Sequence, residues 1–524
     1  MEVISQRSKG VCFLLRGDFG AEGLQDEWQV ETRQQELKVL TFWDSFEWGL
    51  WFGGHILYSC KDQFYLCACD DGWLGSLLCE EEATGRRRFW GEFETASMRT
   101  ALEGMLGLRA LAPVVSGTFS LRQSELRNEM DKIVCRLEWS AVSSGAEDVE
   151  LLHSCRVLPL LGYESESVRV AEYLTRRGAE ESAEGSVKVL LRHAGQTPQK
   201  YTLKPSFGLE SDTPAREAVG RIVRTILDIS NRNVPGILDD LDTEFLHDYR
   251  ICLRKIRSVL TLVKDVYPAA GTIRLRKILG DLARETNRLR DLDVYLLARD
   301  EYLGLLPPVL RPELDGMFKD FAAERAVELQ HTTGKMRAHA SRKQSREMEK
   351  FFSVETRHKP SPNAELPVGP LVFRGIYKRY RKICRIAGEV GAETPDEMLH
   401  QIRIECKKLR YLMEFFSELI AREEGAMLNK LLRRLQGRLG DFNDASVQQK
   451  FLLHYWEQKK SESHNALALG GLISILYQRQ QQTRTLIEES LKEFCGGATA
   501  TAFKRTFKRP ATLSVTAVPR NRKL

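Results

Sequence analysis

Two stretches of this chain place one histidine and several basic residues at matching helical positions. Residues 247–257 have the sequence HDYRICLRKIR, and residues 400–410, which follow 153 positions later, have the sequence HQIRIECKKLR. In each stretch the basic residues follow the histidine at offsets 3, 7, 8 and 10. The first set comprises His247, Arg250, Arg254, Lys255 and Arg257, and the second comprises His400, Arg403, Lys407, Lys408 and Arg410. On a helix of about 100° per residue, the histidine and the basic residues at offsets 3, 7 and 10 fall within roughly one quarter of the circumference. The basic residue at offset 8 lies outside this quarter. The chemistry that this pattern favours is the binding of an anion by a row of cations.

The opposite side of each stretch is apolar, with Leu253 and Ile256 in the first and Ile402 and Leu409 in the second. Both stretches are therefore predicted to be amphipathic helices. A solvated basic face is the alternative interpretation. Like charges at helical spacing cost about 0.2–0.5 kcal/mol per pair, and neither row contains a carboxylate to offset that cost. The repetition of the row favours an anion from outside the chain as the missing partner. A histidine among these cations is expected to lose its proton more readily, which would tune binding near neutral pH.

A second repeated element follows each of these helices. It contains two arginines four residues apart and then acidic residues: Arg284, Arg288, Asp291 and Asp293 in the first copy, and Arg434, Arg438, Asp441 and Asp444 in the second. Arginines one turn apart share a helix face. For the aspartates we expect a structural role, as caps or partners of arginine, rather than metal binding. A further basic stripe, found only in the second copy, consists of Arg374, Lys378, Arg381 and Arg385.

The composition describes a globular protein of two or three domains. The chain has 524 residues, of which 42% are hydrophobic and 29% charged, with a net charge of +6. No apolar run approaches the roughly 18 residues of a membrane span, and the start lacks the features of a signal peptide, so we expect a cytoplasmic protein. The 11 cysteines are scattered and suit reduced thiols. Four of them, Cys60, Cys67, Cys69 and Cys79, lack the spacing of common zinc sites, and we expect no metal and no cofactor.

Composition changes along the chain predict its organisation. Residues 1–177 alternate β-rich segments with turns and predict an α+β domain with an antiparallel sheet. Residues 178–212 are predicted to be a polar linker. Residues 213–498 are predicted to be helical, in two repeats at about 213–355 and 371–498 that are separated by a proline-containing connection. Residues 499–524 are predicted to be a basic, disordered tail.

The N-terminal domain resembles the CYTH family, a β-tunnel or barrel fold of triphosphate-processing enzymes. The resemblance rests on the segment Phe42-Trp43-Asp44-Ser45, on Trp48 and Leu50, and on residues 158–163. The family's first strand carries glutamates and a lysine that hold metal and phosphate, whereas the corresponding stretch here, residues 10–16, is GVCFLLR. Its Leu-x-Arg-x-Arg strand is replaced by residues 56–60, ILYSC. Without these carboxylates we expect no bound Mg²⁺ and no enzyme activity.

The helical region resembles the CHAD family, the conserved-histidine α-helical domain, through both histidine stretches and both arginine–aspartate segments. The resemblance implies an all-α domain of two four-helix bundles related by a pseudo-twofold axis, with basic residues of both halves lining one groove. It also implies binding of inorganic polyphosphate and association with polyphosphate granules. The expected polyphosphate site comprises His247, Arg250, Arg254, Lys255, Arg257, Arg284, Arg288, Arg374, Lys378, His400, Arg403, Lys407, Lys408, Arg410, Arg434 and Arg438.

Two other functions remain open from the sequence. A basic groove attracts any polyanion, so nucleic acid is an alternative partner. Few aromatic residues accompany the basic rows for stacking on bases, the exceptions being Tyr249, Tyr377, Tyr380 and Tyr411. A triphosphate-processing enzyme of the CYTH type is the second alternative, and the missing carboxylates oppose it.

Overall fold

The computed structural model describes residues 10–15, 21–32, 36–82, 88–144, 150–182, 184–353, 356, 359, 361–391, 394–458 and 465–508. The chain divides into two compact units, Met1–Thr202 and Leu203–Leu524. None of the helices in the described ranges combines the length and the apolar character that crossing a membrane requires.

The first unit is built on one antiparallel sheet. Its strands are β1 (Val11–Leu15), β2 (Gln29–Thr32), β3 (Glu36–Ser45), β4 (His55–Cys60), β5 (Gln63–Asp70), β6 (Trp73–Glu82), β7 (Leu111–Arg127), β8 (Ile133–Ser144), β9 (Glu150–Pro159) and β10 (Glu180–Glu181). The spatial order is β10-β1-β9-β8-β7-β3-β4-β5-β6, and β2 pairs with β7. The predicted α+β class is confirmed, and the sheet is consistent with a CYTH-like domain.

Helices cover both faces of this sheet. They are α1 (Gly49–Phe52), α2 (Ala96–Leu106), α3 (Glu164–Arg176) and α4 (Ser186–His193). On β4, Leu57 joins the apolar cluster under α2, whereas its neighbour Ile56 joins the cluster under α4. Because successive side chains of a strand point to opposite faces, α2 and α4 lie on opposite sides of the sheet. Helix α4 covers one face of the sheet by packing Val187, Leu190 and Leu191 against it.

The predicted linker at 178–212 is wrong over most of its length. Strand β10 pairs with β1 through Glu181 and Phe13, and α4 buries three apolar side chains against the sheet. Residues 178–202 therefore belong to the first unit. The error arose because the short apolar segment of α4 lies between polar stretches. Its burial depends on strands that are distant in sequence.

Asp44, part of the CYTH-like segment, has a structural role. Its carboxylate accepts backbone N–H groups of Ser45 (2.7 Å), Leu50 (3.0 Å) and Trp51 (2.9 Å). It thereby holds the start of α1 against the end of β3. Burial outweighs these bonds and raises the pKa of Asp44 to about 6.

The second unit is helical. Its first half contains α5 (Ala215–Leu238), α6 (Thr243–Leu262), α7 (Ala269–Glu285), α8 (Asn287–Leu297), α9 (Arg299–Leu305), α10 (Asp315–Arg337) and α11 (His339–Phe351). Its second half contains α12 (Val368–Ala387), α13 (Asp396–Phe415), α14 (Arg422–Gln458), α15 (Ala466–Phe494) and α16 (Gly497–Phe507). Each half thus has a histidine helix, α6 or α13, in second position.

The two halves meet through a reciprocal contact at the start of α5 and α12. Pro214 and Pro367 form an antiparallel bridge. The N–H of Ala215 donates to the carbonyl of Leu366 at 2.9 Å, and the N–H of Val368 donates to the carbonyl of Thr213 at 2.9 Å. Pro214 and Pro367 are separated by 153 residues, as are His247 and His400. A contact that exchanges equivalent residues is the mark of a twofold relation, here between the repeats of one chain.

The predicted tail at 499–524 is wrong in its first part. Helix α16 occupies Gly497–Phe507, and its Ala502, Phe503 and Phe507 are buried. The ring of Phe503 stacks on Tyr380 of α12 with centroids 3.9 Å apart. The remainder of the tail, 509–524, lies outside the described residues.

Candidate functional site

The histidine helices α6 and α13 pack against each other across the boundary between the halves. Asp242 caps α6 by accepting the backbone N–H groups of Glu244 (2.9 Å) and Phe245 (3.2 Å). The predicted apolar faces are confirmed, because Leu253, Ile256, Ile402 and Leu409 are all buried. The amphipathic pattern therefore sets which side of each helix carries the cations, and the pairing of α6 with α13 brings those sides together.

Five basic residues from both halves form what we call the central cationic cluster: Arg250, Arg254, Arg403, Lys407 and Arg410. Burial, together with the fields of Arg403, Arg254 and Arg410, lowers the pKa of Lys407 to about 8, and Asp444 only partly opposes this. Arg254 also acts on Arg403, whose pKa is lowered mainly by burial. Arg254 belongs to α6 and Lys407 to α13. The two predicted rows therefore share one electrostatic environment.

Much of the hydrogen-bonding capacity of this cluster is unused. Within the described ranges, the side chains of Arg254 and Lys407 form no hydrogen bond or ion pair. The Nε atoms of Arg403 and Arg410 are buried and have no partner among those residues. Arg403 has one weak ion pair, from Nη2 to Asp444 at 3.4 Å. Cations with so few carboxylate partners are suited to an anionic ligand that supplies the missing acceptors.

Arg250 performs a structural task within the cluster. Its Nη1 donates to the carbonyl of Ala283 (2.7 Å) and to Thr286 Oγ1 (2.7 Å), and its Nη2 donates to Asn287 Oδ1 (2.8 Å). These bonds satisfy the groups at the break between α7 and α8. Burial lowers the pKa of Arg250. It is less available to a ligand than Arg254.

The break at Thr286 corrects one sequence expectation. Arg284 lies in the last turn of α7 and Arg288 lies in α8, so the two arginines do not share one uninterrupted helix. The equivalent Arg434 and Arg438 do share a helix, the 37-residue α14. The structural role expected for the aspartates is confirmed at Asp293, which is buried and accepts Arg325 Nε at 2.7 Å.

Six of the expected site residues already have partners in the protein. Lys255 is 6% exposed and pairs with Glu414. The other five are Arg284, paired with Asp281 at 2.8 Å; Arg288, paired with Glu324 at 2.5 Å; Lys408, paired with Glu405 at 2.9 Å; Arg434, paired with Glu493; and Arg438, bonded to Ser490 at 2.7 Å. These side chains stabilise the helical packing. The expectation that the basic rows lack carboxylates fails here. Glu414, Glu324 and Glu493 come from other helices, whereas Asp281 and Glu405 lie three residues before their partners in the same helix.

Glu405 is the most buried of these carboxylates, with 2% exposure. Burial alone would raise its pKa, but bonds from Lys408 (2.9 Å), Arg379 (2.5 Å) and Lys382 (3.1 Å) outweigh that effect and lower the pKa to about 2. Glu405 thus links α12 to α13 through a charged network and orients α13.

The two histidines have different surroundings. His400 is exposed, and its Nδ1 donates to Asn443 Oδ1 at 2.8 Å. His247 lies beside Glu244 and Asp248, with the ligand atoms of all three within 4.8 Å of one another. The neighbours of His247 are therefore acidic, contrary to the expectation of a histidine surrounded by cations.

Three further predicted residues lie on the surface. Arg257 is exposed beside α7, with its guanidinium near Gly280. Arg374 and Lys378 are exposed on α12, on the side opposite its buried Val372 and Ile376. Among the described residues, no side-chain hydrogen bond or ion pair joins them to the central cationic cluster.

One acidic residue near the site agrees with its sequence expectation, and one basic residue was missed. Asp444 of α14, expected to be a partner of arginine, pairs with Arg403 and is the acidic neighbour of the cluster. Arg433 was passed over in favour of the adjacent Arg434, although Arg434 pairs with Glu493 and Arg433 is exposed with no ion pair to a described residue. The sequence does not show which of these two consecutive arginines is paired, because the pairing depends on where α15 places Glu493.

Comparison with known proteins locates a family domain in this chain. Residues 221–453 match the CHAD domain. Among solved structures, the chain is similar to the crystal structure of the CHAD domain from the plant Ricinus communis, with 20% identity over 55% of this chain and 95% of that one and a TM-score of 0.46. It is also similar to PptA from Streptomyces chartreusis, with 16% identity over 53% of this chain and 100% of that one and a TM-score of 0.41. No curated protein matches the chain. With its repeated histidine helices inside the matched range, this chain contains a CHAD domain.

Proposed function

We propose that this protein binds inorganic polyphosphate in the central cationic cluster, between α6 and α13. The observation that carries the proposal is the position of Arg254 and Lys407. They come from different halves and share one electrostatic environment. Neither side chain forms a hydrogen bond or ion pair with described residues. The CHAD match supports a role related to polyphosphate.

The distribution of charge favours a chain over a single small anion. The cluster draws on two helices, and along α13 its cations span about two turns, from Arg403 to Arg410. Each internal phosphate of polyphosphate carries a negative charge, and a chain can therefore contact several cations in turn. Arginine forks bind phosphate oxygens in pairs, while Lys407 contributes a point charge.

Binding across a polyphosphate chain also suits association with polyphosphate granules, and we propose that location for the protein. A tagged protein should concentrate on granules in cells that make polyphosphate. It should disperse in cells that lack the polymer.

The salt dependence of binding tests the proposal. By analogy with DNA, if the five cations of the cluster neutralise about five phosphates, affinity should fall on the order of 10²-fold or more between about 50 and 200 mM salt. Titration calorimetry of the full chain with long-chain polyphosphate measures this slope. An affinity nearly independent of salt, or a preference for single orthophosphate, would contradict the proposal.

Nucleic acid is the alternative ligand, and three of the four tyrosines beside the basic rows argue against it, whereas Tyr377 is half-buried. Tyr249, Tyr380 and Tyr411 are buried, at 7%, 3% and 4% exposure, so they present no face for stacking on a base. Competition between polyphosphate and single-stranded RNA of equal charge separates the two. Stronger binding of the RNA would favour the alternative.

We also infer that the first unit does not hydrolyse triphosphates. Strand β1 has the sequence VCFLL, without an acidic side chain, and α4 covers one face of the sheet with apolar residues. Metal-assisted phosphate chemistry needs carboxylate or other oxygen ligands for Mg²⁺.

A further inference from the structure

Residues 203–209, which we call the strap, cross the second unit at the end of α13. Glu418 accepts the backbone N–H groups of Phe207 (2.6 Å) and Leu209 (2.8 Å) and the hydroxyl of Ser206 (2.7 Å). Lys255 Nζ donates to the carbonyl of Leu203 at 2.5 Å. Arg221 Nη1 donates to the carbonyl of Gly208 at 2.8 Å. The strap is therefore fixed at both ends.

A cavity of about 150 Å³, which we call the strap pocket, lies under this segment. Its walls come from the strap, α6, α13 and α14. Walls on several sides and this small volume suit a compact group better than the middle of a chain.

The charged lining of the strap pocket is mainly positive. It contains Lys204, Lys255, Arg410 and Arg433, with Glu414 as the acidic member. Glu414 is already paired with Lys255. Arg410 Nε is buried without a hydrogen-bond partner in the described part of the chain, and Arg433 forms no ion pair there. The pocket thus holds uncompensated positive charge.

Arg410 connects the strap pocket to the central cationic cluster. It lines the pocket and also contributes to the lowered pKa of Lys407. Arg410 is therefore common to the cluster and the pocket, and we expect a chain that binds the cluster to reach the pocket there.

We infer that the strap pocket receives the terminal phosphate group of a linear phosphoanhydride chain. This inference rests on the proposed polyphosphate binding. A terminal phosphate has three non-bridging oxygens and, like a phosphate monoester, a second ionisation with a pKa of about 6, so it carries more charge at neutral pH than an internal unit. The strap, α6, α13 and α14 all wall the pocket, which suits a chain end better than an internal unit, because an internal unit continues into the chain on both sides.

Linear tripolyphosphate and cyclic trimetaphosphate test this inference, because the linear molecule has two terminal phosphates and the ring has none. Titration calorimetry of the full chain compares each ligand on wild type and on Arg433→Gln. We expect Arg433→Gln to weaken tripolyphosphate binding about tenfold, the order of one charge-assisted hydrogen-bonding contact. The same substitution should change trimetaphosphate binding by less than about twofold.

Arg422→Gln is the matched control. Arg422 is exposed at the start of α14, does not line the strap pocket and forms no ion pair with a described residue. The substitution Arg422→Gln removes one positive charge, as Arg433→Gln does, and should leave the preference for tripolyphosphate over trimetaphosphate intact. Equal losses for both ligands in Arg433→Gln, or equal losses in both variants, would overturn the inference.

Long-chain polyphosphate separates this inference from the proposed function. If wild type does not bind the long chain, the proposed function fails. If wild type binds the long chain, ³¹P spectra decide the terminal-phosphate inference. Wild type should broaden the end-group resonances selectively, and more than Arg433→Gln does. Without that difference, only the terminal-phosphate inference fails.

Discussion

Arg254 of α6 and Lys407 of α13 lie in one electrostatic environment, although they belong to different repeats of the chain. The field of Arg254 adds to burial and to the field of Arg403 in lowering the pKa of Lys407 to about 8. The same two side chains have no ion pair or hydrogen bond within the described ranges. Like charges held together without a protein partner raise the free energy of the unbound state, and a polyanion relieves that cost.

The first prediction concerns cooperation between the two halves. Arg254→Gln and Lys407→Met should each weaken long-chain polyphosphate binding about tenfold, because each removes a charge-assisted contact. Arg254 is preferred to Arg250, whose bonds to Ala283, Thr286 and Asn287 support the fold. Titration calorimetry should give unchanged stoichiometry for both variants, since they disturb one shared site.

The double variant and a control complete this test. If the site is shared, the losses of binding free energy in the two single variants should not sum to the loss in the double variant. A double-mutant cycle measures the difference. Arg422→Gln removes a charge elsewhere and should have little effect. Halved stoichiometry with unchanged affinity would instead indicate two independent sites.

The second prediction concerns pH. With a pKa of about 8 in the free protein, Lys407 loses its charge as the pH rises through 8. A bound polyanion favours the protonated form and raises this pKa, so the complex binds more protons than the free protein. Affinity should therefore fall as the pH rises above 8. Calorimetry in buffers of different ionisation enthalpy should detect proton uptake near pH 8 in wild type and much less in Lys407→Met.

The third prediction concerns the stability of the unbound protein. The pKa of Lys407 is lower in the folded chain than its ordinary value of 10.5, so the charged lysine destabilises the fold at neutral pH. Lys407→Met removes that charge and keeps an apolar stem of similar length. It should raise the free energy of unfolding on the order of 1 kcal/mol at pH 7. A lower urea midpoint for the variant would contradict this explanation of the site.

The fourth prediction concerns Glu405. Glu405→Gln leaves Arg379, Lys382 and Lys408 without their carboxylate and should destabilise the second unit by about 3 kcal/mol. The folded pKa of about 2 lies below the ordinary value of 4.5, so the stabilisation is present above pH 4.5 and is lost as the pH falls towards 2. Urea unfolding of wild type and variant between neutral and acid pH measures both effects. If the free energies of unfolding of wild type and variant differ by the same amount at every pH, this role of Glu405 is excluded.

The fifth prediction concerns catalysis. The full chain should release no phosphate from ATP or tripolyphosphate with Mg²⁺ or Mn²⁺, because β1 lacks acidic side chains for a metal. A sensitive assay for free phosphate checks this. Clear metal-dependent turnover that survives substitution of the cluster residues Arg254 and Lys407 would assign an activity to the first unit.

The sequence alone was enough to predict the helices that carry the site. The spacing of His247 and His400, the apolar positions Leu253 and Ile402, and the repeat of 153 residues all survive in the structure. This succeeds because helical periodicity is a local property, so it determines which side chains share a face. The antiparallel α+β nature of the first unit follows from strand patterning for the same reason.

Tertiary structure decided which cations remain without partners. Lys255 and Arg254 are neighbours in sequence, yet Lys255 is buried against Glu414, which lies 159 residues away, and Arg254 faces the second repeat. The break at Thr286, the packing of α4 and the burial of Phe503 depend in the same way on contacts between distant segments. Periodicity shows which face a residue occupies, but the charge and shape opposite that face come from other parts of the chain.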